Sequence, residues 1–326
     1  MQNFGYARAT SVDDAVAAAD PALAFLAGGT ELLNWLRLGI ASPARILDIT
    51  RIPSLDLIAT LPGGGLRIGA LNTLNAVAGH AAVVRDYPVL AEAIAKAASA
   101  QLRNLATIGG NLLQKTRCPY FRAEEATPCN KRVPGSGCAA YHGINDKHAI
   151  FGWSEQCVAT QPSDPAVALA ALDAIVVVRG ARGERRIAAR AFHRLPGDDP
   201  TRETELQPGE LITAIELPAP APHSAYLKIR ERESYEYATV SAAVTLTFDR
   251  KAIAQARIAL GSVALRPWRL DEAERALVGL DPASDATRVA IAAAFAAARP
   301  LAHNAHKVPL ACNAVIRLVR DLGRRA

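Results

Sequence analysis

Thiols are the residues of this chain best suited to chemistry. Four of its five lie in one stretch, as Cys118, Cys129, Cys138 and Cys157. Ten, eight and eighteen residues separate them. Four thiolates on one loop have three common uses: disulfides, a zinc ion or an iron–sulfur cluster. Disulfides call for an oxidising compartment, and residues 1–20 lack the basic start and apolar core of a secretory signal. A chain of 326 residues also does not need staples to hold its core. Zinc modules usually offer thiols as C-x2-C pairs, and none occurs in 118–157. The wide spacing suits a cluster gripped from several sides, with zinc still open. Gly135, Ser136 and Gly137 are expected to leave backbone N–H groups free to point at sulfur. His142 and His148 lie in the same loop and could replace a thiolate.

Two glycine turns come next. Gly28-Gly29-Thr30 follows an apolar strand over 22–27 and precedes a helix over 31–38. Glycines there let backbone approach a ligand closely, and the amides at a helix start attract phosphate. The turn lacks the spacing of a Rossmann fingerprint or a P-loop. Gly109 and Gly110 break a second apolar run, ATIGGNLLQ, at 106–114. Two such turns, each beside a threonine, raise the odds that both touch one extended ligand such as a dinucleotide. Asp164 reads as a helix cap, or as a hydrogen-bonding partner for a ligand hydroxyl.

Several elements must hold these groups. Strands are expected over 3–7, 22–27 and 45–48, with helices over 12–19 and 31–38, making a small β-α-β unit. Helices follow over 87–100 and 165–172, and strands over 174–178, 184–188 and 211–217. Residues 192–195 read as a short helical turn. The PAPAPH run at 218–223 is the clearest break in composition and reads as a linker. It divides a domain over 1–217, carrying the thiol insert at 115–160, from a smaller one over 224–326. The smaller part is expected to pack three strands (225–231, 239–248 and 253–261) under helices. Its last helix, 307–320, places Cys312 on an apolar stripe, as a buried core thiol.

Composition excludes some functions. Half the residues are apolar, 21% are charged and the net charge is +6. Basic runs at 182–186 and 324–325 are short and not interleaved with aromatics, so no nucleic-acid surface is expected. No apolar run approaches the roughly 18 residues of a membrane span. The seven histidines are scattered, and no Ser/His/Asp order or carboxylate pair argues for hydrolysis. Folding in the cytoplasm is the simplest expectation, although such a subunit can be exported on a signal-bearing partner.

LAGGTELLNWLRLGI at 26–40 and RNLATIGGNLLQ at 103–114 together resemble the FAD-binding medium subunits of the xanthine dehydrogenase, or molybdenum hydroxylase, family. The resemblance covers nearly the whole chain. It implies an α+β architecture: a PCMH-type (vanillyl-alcohol-oxidase-like) FAD domain of two α/β subdomains, plus a small C-terminal α+β domain like that of CO dehydrogenase flavoproteins. Most medium subunits lack the thiol insert. Here TRCPYFRAEEATPCNKRVPGSGCAA and SEQCVATQPSD resemble the periplasmic aldehyde oxidoreductases, with the 4-hydroxybenzoyl-CoA reductases as the alternative. Cys118, Cys129, Cys138 and Cys157 would then ligate a [4Fe-4S] cluster.

The same resemblance implies that Leu26, Ala27, Gly28, Gly29, Thr30, Glu31, Leu32 and Leu33 wrap the FAD pyrophosphate. Thr107, Gly110 and Asn111 would form a second contact. Asp164 would meet the ribityl or flavin side, Ile212 would pack near the isoalloxazine, and Lys228 would face the ring. Implied partners are a large molybdenum-cofactor subunit and a small [2Fe-2S] subunit, with an external electron acceptor and export in a partner's company. A rival of another class is a zinc-thiolate scaffold without redox function.

Overall fold

Short strands and short helices alternate through the first fifty residues. The computed structural model, which describes residues 2–326, shows how they pack. Strands Gly5–Arg8, Arg45–Asp48 and Leu23–Leu26 form a parallel sheet in that spatial order. Ser11 caps helix Val12–Ala17 by accepting from the Asp14 N–H, and Asp13 and Asp14 occupy its first turn. Helix Leu32–Arg37 buries Leu32 and Leu36 against Ile46.

The second unit is an antiparallel five-stranded sheet, ordered Ile58–Thr60, Leu66–Gly69, Leu211–Leu217, Ile175–Gly180, Gly183–Ala188. Leu211–Leu217 is buried at every position, as suits a central strand. Helix Asp164–Ala171 is also buried throughout and packs on helix Pro88–Lys96. The helix expected over 87–100 therefore ends early. Ala97 is extended and Ala98 takes a left-handed φ of 48°, after which Ser99 caps a new helix, Ala100–Arg103. The alanine-rich run hides the break, whose local mark is Ser99, its hydroxyl accepting from the Leu102 N–H. The helical turn expected at 192–195 lies earlier, as Ala189–Phe192. His193 instead forms a β-bridge with Thr204.

The C-terminal sheet has four antiparallel strands, ordered Trp268–Arg269, Ala252–Gly261, Val240–Asp249, Ser224–Ile229. The fourth, Trp268–Arg269, is a two-residue edge strand, too short to show a period. Helix Lys307–Gly323 lays Ala311, Ala314, Val315, Leu318, Val319 and Leu322 onto this sheet. Cys312 is half-buried at the rim of that stripe, not a core thiol.

Lys307 is fully buried at 0% exposure, and its ammonium donates to the carbonyls of His148 (2.7 Å) and Ser262 (2.5 Å). It thus pins the thiol-bearing insert to the C-terminal sheet. Asn304 assists by donating to the His148 and Ala149 carbonyls. Burial pulls the Lys307 pKa from 10.5 down to about 7. A depressed lysine binds fewer protons folded than unfolded between those values, so its contribution to stability rises with pH there. Below about pH 7 both states hold the proton, and the full cost of burying the cation stands. The stability of the wild type relative to Lys307→Met should therefore climb by about 1.4 kcal/mol per pH unit from about pH 7 to about pH 10. Denaturant unfolding of both proteins across that range checks it, and a flat difference would contradict it.

Candidate functional site

Both glycine turns are built by close backbone approach, and they are built against each other. A Cβ on Gly28 would lie 1.8 Å from the Leu105 carbonyl oxygen, so only glycine fits where the first turn meets the segment leading to the second. Gly29 takes a φ of 72°, which favours glycine. In the second turn Thr107 caps the short helix Ile108–Leu112, its hydroxyl accepting from the Gly110 N–H at 3.2 Å. Gly109 donates to the Ala70 carbonyl at 3.0 Å, and a Cβ there would stand 2.8 Å from the Ala70 methyl.

Between the turns opens a cavity of about 640 Å³. Ala27, Gly28, Gly29, Thr30, Glu31, Leu32 and Leu33 line one side, Thr107, Gly110 and Asn111 the other, and Ile212 also reaches it. An apolar cleft of this size with a few polar groups suits a large cofactor. Leu26 does not line it, and its side chain packs in the small core under the first sheet. Trp35, Gln114, Arg117, Tyr235 and Tyr237 line it too, although sequence reasoning did not single them out. The one available signal was the tyrosine pair in RERESYEYAT, an otherwise polar run just after Lys228.

Asp164 and Lys228 do not line the cavity and instead form a layer behind it. Ser163 caps helix Asp164–Ala171 and donates its hydroxyl to Asn111 Oδ1 at 2.6 Å, tying that layer to the cavity wall. Asp164 accepts from Lys228 Nζ at 2.8 Å and from the Tyr226 hydroxyl at 2.5 Å. The Lys228 and Asp164 side chains are 1% and 5% exposed. Burial pushes the Asp164 carboxyl up against the pull of the ammonium, and pushes Tyr226 far above its ordinary value.

All four insert cysteines line one small pocket, and none is in a disulfide. Cys129 and Cys138 face each other across a β-bridge, closed by Asn130 N–H to the Gly137 carbonyl and Ala139 N–H to the Pro128 carbonyl. The expectation for the 135–137 amides needs correction. The Gly137 N–H donates to Asn130 Oδ1 and the Ser136 N–H to the Val133 carbonyl, so neither is free for sulfur. Burial drives Cys118 up to about 12 and Cys157 to about 11, so in the absence of a cation both are thiols. His148 Nε2 stands 3.3 Å from Cys118 Sγ, and burial lowers its pKa to about 4. His142 stacks edge-on against Tyr141 and does not line the pocket. Among the described residues, no three or more His, Cys, Asp or Glu side chains already converge as a metal-ligating group.

Residues 2–220 match the FAD binding domain in molybdopterin dehydrogenase, and residues 225–322 match the CO dehydrogenase flavoprotein C-terminal domain. The chain belongs to the FAD-binding medium subunits of the molybdenum hydroxylase family, and is an oxidoreductase subunit. Within that family it is similar to the aldehyde oxidoreductase FAD-binding subunit PaoB of Escherichia coli (strain K12), at 44% identity over 315 residues and 95% of each chain. It is 31% identical over 306 residues to the carbon monoxide dehydrogenase medium chain of Afipia carboxidovorans, covering 90% of this chain and 87% of that one. The solved reconstituted CO dehydrogenase from Oligotropha carboxidovorans superimposes with a TM-score of 0.78 at 27% identity, over 100% of this chain and 99% of that chain. The mixed α+β architecture expected from the sequence is thus the family fold. No helix among the described residues is long and apolar enough to cross a membrane.

Proposed function

We propose that this chain is the FAD and [4Fe-4S] electron-transfer subunit of a heterotrimeric, molybdenum-dependent aldehyde oxidoreductase. The carrying observation is the single pocket shared by all four insert cysteines, in a chain similar along its length to an aldehyde oxidoreductase FAD-binding subunit. Its partners are then a large molybdenum-cofactor subunit and a small [2Fe-2S] subunit, and electrons leave for an external acceptor. The complex is exported to the periplasm on a signal-bearing partner.

When bound, FAD supplies the exchange between one-electron and two-electron chemistry. The chain's residues bind and orient it. The backbone of Ala27 to Leu33 holds the pyrophosphate, Thr107, Gly110 and Asn111 make the second contact, and Ile212 packs near the isoalloxazine. Asp164 and Lys228 act from the layer behind, keeping Ser163 and Asn111 in place through a fixed helix start. The donor set at the second pocket suits an iron–sulfur cluster: four thiols gathered in one place, Cys129 and Cys157 buried, and none tied up in a disulfide.

Anaerobic purification of the complex, followed by iron, sulfide and flavin quantitation, tests this reading. Cys129→Ser should lose about four irons per chain and keep its FAD, because the glycine turns and the thiol pocket are separate sites. One zinc per chain in a colourless wild type would overturn the reading.

A further inference from the structure

Glu31 follows Thr30 directly and lines the same cavity, so a carboxylate stands beside the backbone meant for the dinucleotide phosphates. It does not cap its own helix, since no side-chain bond to a helix N–H is made. Its oxygens turn instead to Trp35 Nε1 at 2.8 Å, to Arg117 in a direct hydrogen bond, and to Arg122 at 3.5 Å. Both arginines flank Cys118, on the root of the cysteine insert. The first unit of the fold thus presents an acidic group that only the insert neutralises.

The arginines also carry more donor capacity than Glu31 uses. Arg117 lines the cavity and stacks on Tyr237, 4.5 Å from the ring centroid. Arg117 Nε and Arg122 Nη2 are buried donors without a hydrogen-bond partner. These two N–H groups are closed off from the cavity, so what Arg117 presents at the cavity wall is the charge of the rest of its guanidinium. Two guanidiniums against one carboxylate leave one surplus positive charge at a cavity wall, and a guanidinium fork suits phosphate oxygens.

We infer that Arg117 is a FAD-anchoring residue supplied by the cysteine insert: it neutralises Glu31 at the first glycine turn and offers its remaining charge to the dinucleotide phosphates. The inference rests on the reading that this cavity holds FAD. In Arg117→Gln, a half-compensated carboxylate faces the phosphates, and in Glu31→Gln the repelling group is gone. A role limited to tying the insert to the first unit would make both single variants lose FAD, because each breaks the tie.

The test uses the full chain purified with its partner subunits. FAD is stripped at high salt and re-added, and its dissociation constant is read from flavin fluorescence, with iron content measured in parallel. Arg117→Gln should bind FAD about tenfold more weakly or worse, by loss of a charge-assisted contact. Glu31→Gln should bind at least as tightly as wild type. The double variant Glu31→Gln/Arg117→Gln should regain part of that loss, because the repelling carboxylate is gone, and stay weaker than Glu31→Gln, because the charge-assisted contact is still missing. Unchanged affinity in Arg117→Gln, loss of FAD in Glu31→Gln, or no recovery in the double variant would each overturn the inference. Wild-type complex that never binds FAD would instead sink the functional reading itself.

Discussion

Gly28→Ala is expected to yield a complex without bound FAD. The added methyl would sit 1.8 Å from the Leu105 carbonyl oxygen and 2.7 Å from its carbon. Both are backbone atoms, so no rotamer change relieves the clash, and the first turn must lift away from the segment leading to Thr107. Binding across two turns depends on their separation, and displacements on the order of 1 Å in such sites cost about two orders of magnitude. The flavin content should fall to below about one tenth of the wild-type level, while iron content is unchanged. Gly79→Ala is the control. Nothing lies within 4 Å of a Cβ there, and alanine is the better helix former. Flavin and iron quantitation of both variants decides the matter. Full flavin occupancy in Gly28→Ala would mean that the cavity is not where FAD sits.

Asp164→Ala is expected to be the most destabilising single change in the layer behind the cavity. It leaves the Lys228 ammonium, 1% exposed, without its carboxylate, and deprives the Tyr226 hydroxyl of its acceptor. The Lys96 carbonyl, which also accepts from Lys228 at 3.0 Å, is neutral and cannot replace the lost charge. Removing one partner of a buried ion pair costs about 3–5 kcal/mol, mostly as the penalty of the orphaned charge. The double variant Asp164→Ala/Lys228→Met removes that charge as well, so it should be more stable than Asp164→Ala alone. Thermal unfolding midpoints of the wild type, both single variants and the double variant measure the coupling. Additive losses would show that the pair does not act as a unit. Because Ser163 ties this helix to Asn111, Asp164→Ala should also loosen FAD, and Lys228→Met in the double variant should restore part of it.

Local devices were legible before any packing was known. The Ser11 cap shows in sequence because its partner is three residues away. The glycine turns show because the first lies between an apolar run and a helix start and the second breaks an apolar run. The helix read over 307–320, which runs to Gly323, shows because its buried residues recur at the helical period. Longer-range choices were hidden. The left-handed turn at Ala98 is hidden within an alanine-rich run, and the edge strand Trp268–Arg269 carries no period. The Ser136 and Gly137 amides looked available only because their acceptors, the Val133 carbonyl and Asn130 Oδ1, were unseen.

The sequence alone determined that the chain carries two glycine bends, a four-thiol excursion and a separate β-rich tail, since spacing along the chain is all those features need. Tertiary structure decided what stands beside them. Arg117 stacks on Tyr237 from 120 positions away, Asp164 finds Lys228 across 64 positions, and Lys307 reaches back 159 positions to hold His148. Such pairings follow from the burial of whole surfaces, whose free energy depends on the assembled shape and not on any neighbour in sequence.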